Sequence, residues 1–134
     1  MTAGILVHPD GRTEAISFDA ANPQTVVGPE PEMAAAAFSE ETTSCRMVFS
    51  AAPEPGSEPN AIASLARLEA ATGNSRFFLD PTQAVAGVAV FFAASEEEIT
   101  EGIAQATRAV ENYKADFPQE FQLWHNAVVN LEAY

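Results

Sequence analysis

Apolar and polar positions follow two different periods along the chain. In the first fifty residues the pattern is short and alternating. Gly4-Ile5-Leu6-Val7 is apolar and β-prone, and Thr13-Glu14-Ala15-Ile16-Ser17-Phe18 alternates so that successive side chains face opposite sides. Between them, His8-Pro9-Asp10-Gly11 is turn chemistry, since Pro fixes φ and Gly is free to take φ > 0. The pattern predicts an N-terminal hairpin with strands at 4–8 and 13–18. Residues 19–32 are loop-rich, with Asn22-Pro23 and Gly28-Pro29-Glu30-Pro31, and Thr25-Val26-Val27 is a candidate short strand. Met33 to Phe38 holds four consecutive alanines, which favour helix, but it is barely two turns long. Ser39 to Ser44 is a polar connection of hairpin length, so 33–38 reads as a strand paired with the strand at 45–50.

Past Pro53-Glu54-Pro55-Gly56 the period changes. Ser57 is placed to cap a helix with Pro59 in its first turn, and Ile62, Leu65, Ala66 and Leu68 give that helix, 58–72, its apolar stripe. Gly73-Asn74 suits its end. Phe77-Phe78-Leu79 reads as a short strand stopped by Asp80-Pro81. Val85 to Phe92 is the most apolar segment and reads as a central strand, 85–92, buried on both faces. Ser95-Glu96-Glu97-Glu98 is a capping box, with Ser hydroxyl and Glu98 carboxylate satisfying exposed amides. Ile99, Ile103, Ala106, Val110, Tyr113 and Phe117 then step at helical spacing and predict a helix over 96–115. Pro118 interrupts it, with Asp116 and Gln119 suited to cap a restart. Phe121, Trp124, Val128 and Leu131 carry the stepping into a second helix, 118–131. The fold class is therefore α+β: one domain over 1–134 with a mixed or antiparallel sheet of about five strands, packed by the helix at 58–72 and extended by the helical segment 96–134.

Composition narrows the class. The chain has 134 residues, 47% of them hydrophobic, which is enough for one core and makes global disorder a poor reading. Its net charge of −13 argues against a nucleic-acid backbone or an anionic lipid as partner, because both need Lys and Arg to neutralise phosphate. The charge is uneven: residues 1–58 carry −7, residues 59–95 none in net, and residues 96–134 carry −6. The start of the chain lacks the basic residues and long apolar stretch of a secretory signal, and no apolar run approaches the ~20 residues that span a bilayer. The expectation is a soluble, cytoplasmic protein. Cys45 is the sole cysteine, so neither an intramolecular disulfide nor a zinc cage is available.

No catalytic, cofactor or metal set converges in the sequence. His8-Pro9-Asp10 is spelled like the tripeptide of J-domain co-chaperones, which lies between two helices there and between two strands here, so it reads as a turn. The two histidines are far apart, and His125 lacks the two-ligand helical spacing of a zinc site. Cys45 beside Arg46 on a strand reads as a small buried hydrophobe rather than a nucleophile. No serine has the elbow glycines of hydrolases, and the glycines form no phosphate-cradling loop. The remaining signal is aromatic: Phe117, Phe121 and Trp124, with Val128, form a stripe that docks on the parent sheet or serves as a candidate interface, which makes a homodimer plausible.

The hairpin Ile5-Leu6-Val7 … Asp10-Gly11 … Ile16-Ser17-Phe18, the helix start Pro59-Asn60-Ala61-Ile62-Ala63 and the Gly-centred strand Ala86-Gly87-Val88-Ala89-Val90 together resemble a family of small uncharacterised proteins encoded in bacterial genomes, phages and plasmids. The resemblance spans about residues 4–100; the C-terminal helices and the insert at 53–58 depart from it. It implies an α+β fold and carries no activity, cofactor or site residues. Three functional readings follow. The leading one is a non-enzymatic domain that binds a protein or small ligand, as a monomer or homodimer. The second is an acidic DNA mimic of the anti-restriction type. The third is an enzyme using His8, Cys45 or a carboxylate pair.

Overall fold

The computed structural model describes residues 1–37, 45–53, 57–72 and 84–130. Among these residues five antiparallel strands form one sheet: β1 (Thr2–Val7), β2 (Thr13–Phe18), β3 (Pro31–Ala36), β4 (Cys45–Ser50) and β5 (Ala89–Phe92), in the order β2-β1-β5-β4-β3. The molecule is a single α+β domain. Alternation along β1 and β2 sets the register, with Ile5 opposite Ala15 and Val7 opposite Thr13. β5 pairs with β1 on one side and β4 on the other, and all four of its residues are buried. The expected central strand is thus central, but it covers 89–92 rather than 85–92. Gly87 takes φ +80 and turns the backbone away, while Ala86 forms an isolated bridge with Pro59.

The alanine run of β3 pairs as a strand, and it begins at Pro31, two residues before the expected 33. Pairing with β4 overrides the helix propensity of alanine there. Thr25-Val26-Val27 is not a strand. It belongs to the short helix α1 (Gln24–Val27), because Pro23 already holds φ −67 and Asp19 accepts bonds from the Ala21 amide and the Asn22 side chain. These contacts wind the segment locally, and its valines face the sheet. The expected strand at 77–79 lies outside the described residues, as do Phe38 and Gly73-Asn74.

Helix α2 (Ala61–Thr72) starts three residues later than expected. Glu58 and Pro59 stay extended, with the Gly87 amide donating to the Glu58 carbonyl at 2.9 Å. The cap is Asn60, not Ser57: its Oδ1 accepts from the Ala63 amide at 3.1 Å. Helix α3 (Glu96–Asp116) opens as its sequence predicts, with the Ser95 hydroxyl accepting from the Glu98 amide at 3.1 Å and three glutamates in the first turn. Among the described residues the return bond from the Glu98 carboxylate is not made. Phe117 ends α3 and opens α4 (Pro118–Asn130), donating to the Tyr113 carbonyl and accepting from the Phe121 amide. Among the described residues no helix is long and apolar enough to cross a membrane.

One face of the sheet carries Ile5, Val7, Met47, Phe49 and Phe91, and α2, α3 and α4 cover it. The other carries Val48, Val90, Phe92 and Phe18, covered by Val27 of α1 with Val26 and Ala20. Gly4 is required on this second face: a Cβ there would lie 2.7 Å from Val90 Cγ1 and 3.1 Å from the Phe18 ring.

Candidate functional site

The end of the sheet where β1 leaves Val7 is held by polar contacts as well as apolar ones. Asn60, fully buried, donates from Nδ2 to the carbonyls of Val7 (3.1 Å) and Gly87 (3.0 Å) while its Oδ1 caps α2. Both amide protons and the oxygen are therefore used. Ser64, one turn on, accepts from the Val85 amide and donates to the Asn60 carbonyl. One side chain thus ties three stretches together: the end of β1, the start of α2 and the 85–87 segment leading into β5.

Next to this clamp the β1–β2 turn is built from its own residues. The His8 amide donates to the Arg12 carbonyl, and Gly11, at φ +94, donates to the His8 carbonyl. Asp10 closes the turn by accepting from the Arg12 amide at 3.0 Å and from Arg12 Nε at 2.9 Å. The Arg12 amide first, then the guanidinium and His8, hold the Asp10 carboxyl below its ordinary range, with desolvation opposing them.

Turn, clamp and the two C-terminal helices enclose a cleft of about 450 Å³. His8, Pro9, Asp10 and Arg12 form one wall, Glu58, Pro59 and Ala61 the second, and Lys114 of α3 with Phe121 and His125 of α4 the third. His125 Nε2 lies 2.9 Å from Glu58 Oε2, a contact across 67 positions that fastens α4 to the segment before α2. A carboxylate only accepts, so Nε2 carries the proton. Among the described residues the buried Nδ1 has no hydrogen-bond partner. His8 Nε2 makes the equivalent contact to Glu14 at 3.0 Å across the hairpin. Lys114 Nζ sits 4.9 Å from the centre of the Phe121 ring and 3.9 Å from Glu111.

Both histidines and the only lysine of a chain with net charge −13 therefore line one cleft, together with Arg12. His8 is a candidate from the sequence and His125 is not, and nothing in the sequence marks Glu58, Arg12 or Lys114. No spacing rule joins residues contributed by a turn, an extended segment and two helices. Cys45 stands elsewhere, at the far end of the sheet, buried beside Ala36. Burial pushes its thiol up to about 11, which makes it a poor nucleophile. Among the described residues no group of three His, Cys, Asp or Glu side chains is arranged to hold a metal.

The aromatic stripe divides. Trp124 and Val128 are buried in the chain's own core, and Phe121 packs against that core from the cleft wall. Phe117 remains half exposed beside Tyr113. Two further hollows, of about 310 and 350 Å³, run between the hairpin and α3; small side chains such as Ala15, Ser17 and Ala104 line them, with Glu96 their one ionisable residue among those described. The cleft at the turn is chemically richer than either. No family model, curated protein or solved structure matches the chain.

Proposed function

We propose that the protein is a non-enzymatic binding domain and that the cleft between the β1–β2 turn, the Glu58-Pro59 segment and the C-terminal helices is its ligand seat. One observation carries this reading: both histidines, the single lysine and Arg12 converge there with an aromatic ring. A volume of about 450 Å³ lies within the range of small-molecule sites, which combine apolar walls with a few convergent polar groups. Among the described residues the cleft's lining holds no serine, threonine, cysteine or tyrosine, and both imidazoles are engaged by glutamates, which favours binding over group transfer. Amide chemical shifts recorded with a fragment set of neutral, cationic and anionic compounds test the reading. Perturbations centred on His8–Arg12, Lys114 and Phe121–His125 support it. A set that perturbs only other surfaces, or none, refutes it.

Self-association is a second reading, favoured by Phe117 at 50% and Leu123 at 70% exposure on the outer side of the C-terminal helices. Light scattering on the wild type and on L123E decides it. A mass near 28 kDa that falls to 14.2 kDa in the variant supports a dimer through this surface. A 14.2 kDa wild type removes it.

A further inference from the structure

We infer that the cleft takes a small organic anion, a single carboxylate on a compact apolar body, through Arg12 and Lys114. The inference rests on the cleft being a ligand seat and adds the chemical class. Its basis is the balance of unused hydrogen-bonding capacity. Each acid of the lining already accepts from a neighbour: Asp10 takes both the amide and Nε of Arg12, and Glu58 takes His125. The cations keep the larger share of their capacity. Arg12 spends one side-chain N–H on Asp10, which leaves four of the five donors of a guanidinium. Among the described residues Lys114 has the 3.9 Å contact to Glu111 and the face of Phe121. Spare donors on two cations match an acceptor with charge, and a carboxylate, with two oxygens, is such an acceptor.

The surroundings limit its size and charge. Acids stand close to both cations, with Asp10 2.9 Å from Arg12 Nε, Glu111 3.9 Å from Lys114 and Glu14 on His8, so every added negative charge on a ligand meets repulsion. A monoanion with one compact carboxylate meets the least of it. Pro9, Pro59, Ala61 and the edge of Phe121 supply the apolar contact that a bare ion would leave unused. Protein–anion contacts this exposed are weak singly, so selectivity comes from both parts of the ligand acting together.

Benzoate, acetate, inorganic phosphate and benzyl alcohol are the probes. Each is titrated into protein whose only lysine and N-terminus carry ¹³C-dimethyl groups, which keep their charge and give Lys114 its own reporter signal. The expected result is that benzoate moves the Lys114 signal and the Phe121 and His125 amides, and binds about tenfold tighter than benzyl alcohol or acetate. K114Q and, separately, R12Q each reduce that preference; K114Q leaves the Asp10 turn intact, so a loss there is not a loss of fold. Benzyl alcohol binding as tightly as benzoate overturns the anion class while leaving the cleft as a ligand seat. Phosphate binding tighter than benzoate overturns the apolar body. If no probe moves the cleft signals, the inference falls; if the wider fragment set also leaves them still, the binding role falls with it.

Discussion

The two faces of the sheet solve the same burial problem with very different means. Three helices close one face over nineteen buried residues, whereas a loop with a single helical turn closes the other over five, counted among the described residues. The deep face needs long amphipathic segments because each helix must bury a stripe against both sheet and neighbours. The shallow face needs only Val27, Val26 and Ala20 laid over Val48, Val90 and Phe92, with Phe18 edge-on to Phe92 at 5.4 Å between ring centres. The comparison also explains where the cleft lies. It opens on the rim of the deep face, where several elements end near one another and polar groups must be satisfied; the shallow face gathers no such set of ends.

Substitutions can break this contrast. Trp124→Ala on the deep face removes a fully buried indole, and chemical denaturation should show a loss of about 3–5 kcal/mol. Asn60→Ala comes next, at about 2–4 kcal/mol, because it removes the α2 cap and leaves the Val7 and Gly87 carbonyls short of a donor. Gly4→Ala tests the shallow face by overpacking: a methyl 2.7 Å from Val90 should cost about 1–3 kcal/mol, and a loss equal to that of Trp124→Ala would erase the distinction between the faces. The smallest effect belongs to Cys45. Its folded thiol titrates near 11 against an ordinary 9.0, so the native state holds its proton longer than the unfolded chain does. The associated stability is whole below pH 9 and drains away as pH rises toward 11. Near pH 8, iodoacetamide should modify native Cys45 about a hundredfold more slowly than the unfolded chain, and Cys45→Ala should flatten the alkaline loss of stability.

Much of the fold was legible because periodicity reports burial directly. The hairpin turn at His8–Gly11, the Ser95 cap and the stripe from Ile99 to Val110 all stand where their spacing places them. Misreadings arose where a local signal competed with a partner distant in sequence. Ser57 and Pro59 look like a helix start, yet the Ala86 bridge keeps Pro59 extended and passes the cap to Asn60. Val26 and Val27 look like strand residues, yet Asp19 and Pro23 wind them. The cleft was hardly legible at all. His8 and His125 carry no mutual signal in the sequence, and Glu58 sits beside a proline-rich break that reads only as a boundary.

The strand order has a consequence for how the chain assembles. Among the described strands the central β5 is the last to be synthesised, and it joins two antiparallel pairs, β1 with β2 and β3 with β4, that precede it in the chain. Its contacts with β1, such as Phe91 with Ile5, close a chain segment of more than eighty residues, an entropic cost that the local pairs do not carry. Until residue 92 emerges, each pair presents an open inner edge to solvent and to other chains. Insertion of β5 is thus the step at which the two pairs become one sheet, and its pairing with β1 carries the largest loop-closure cost of the sheet.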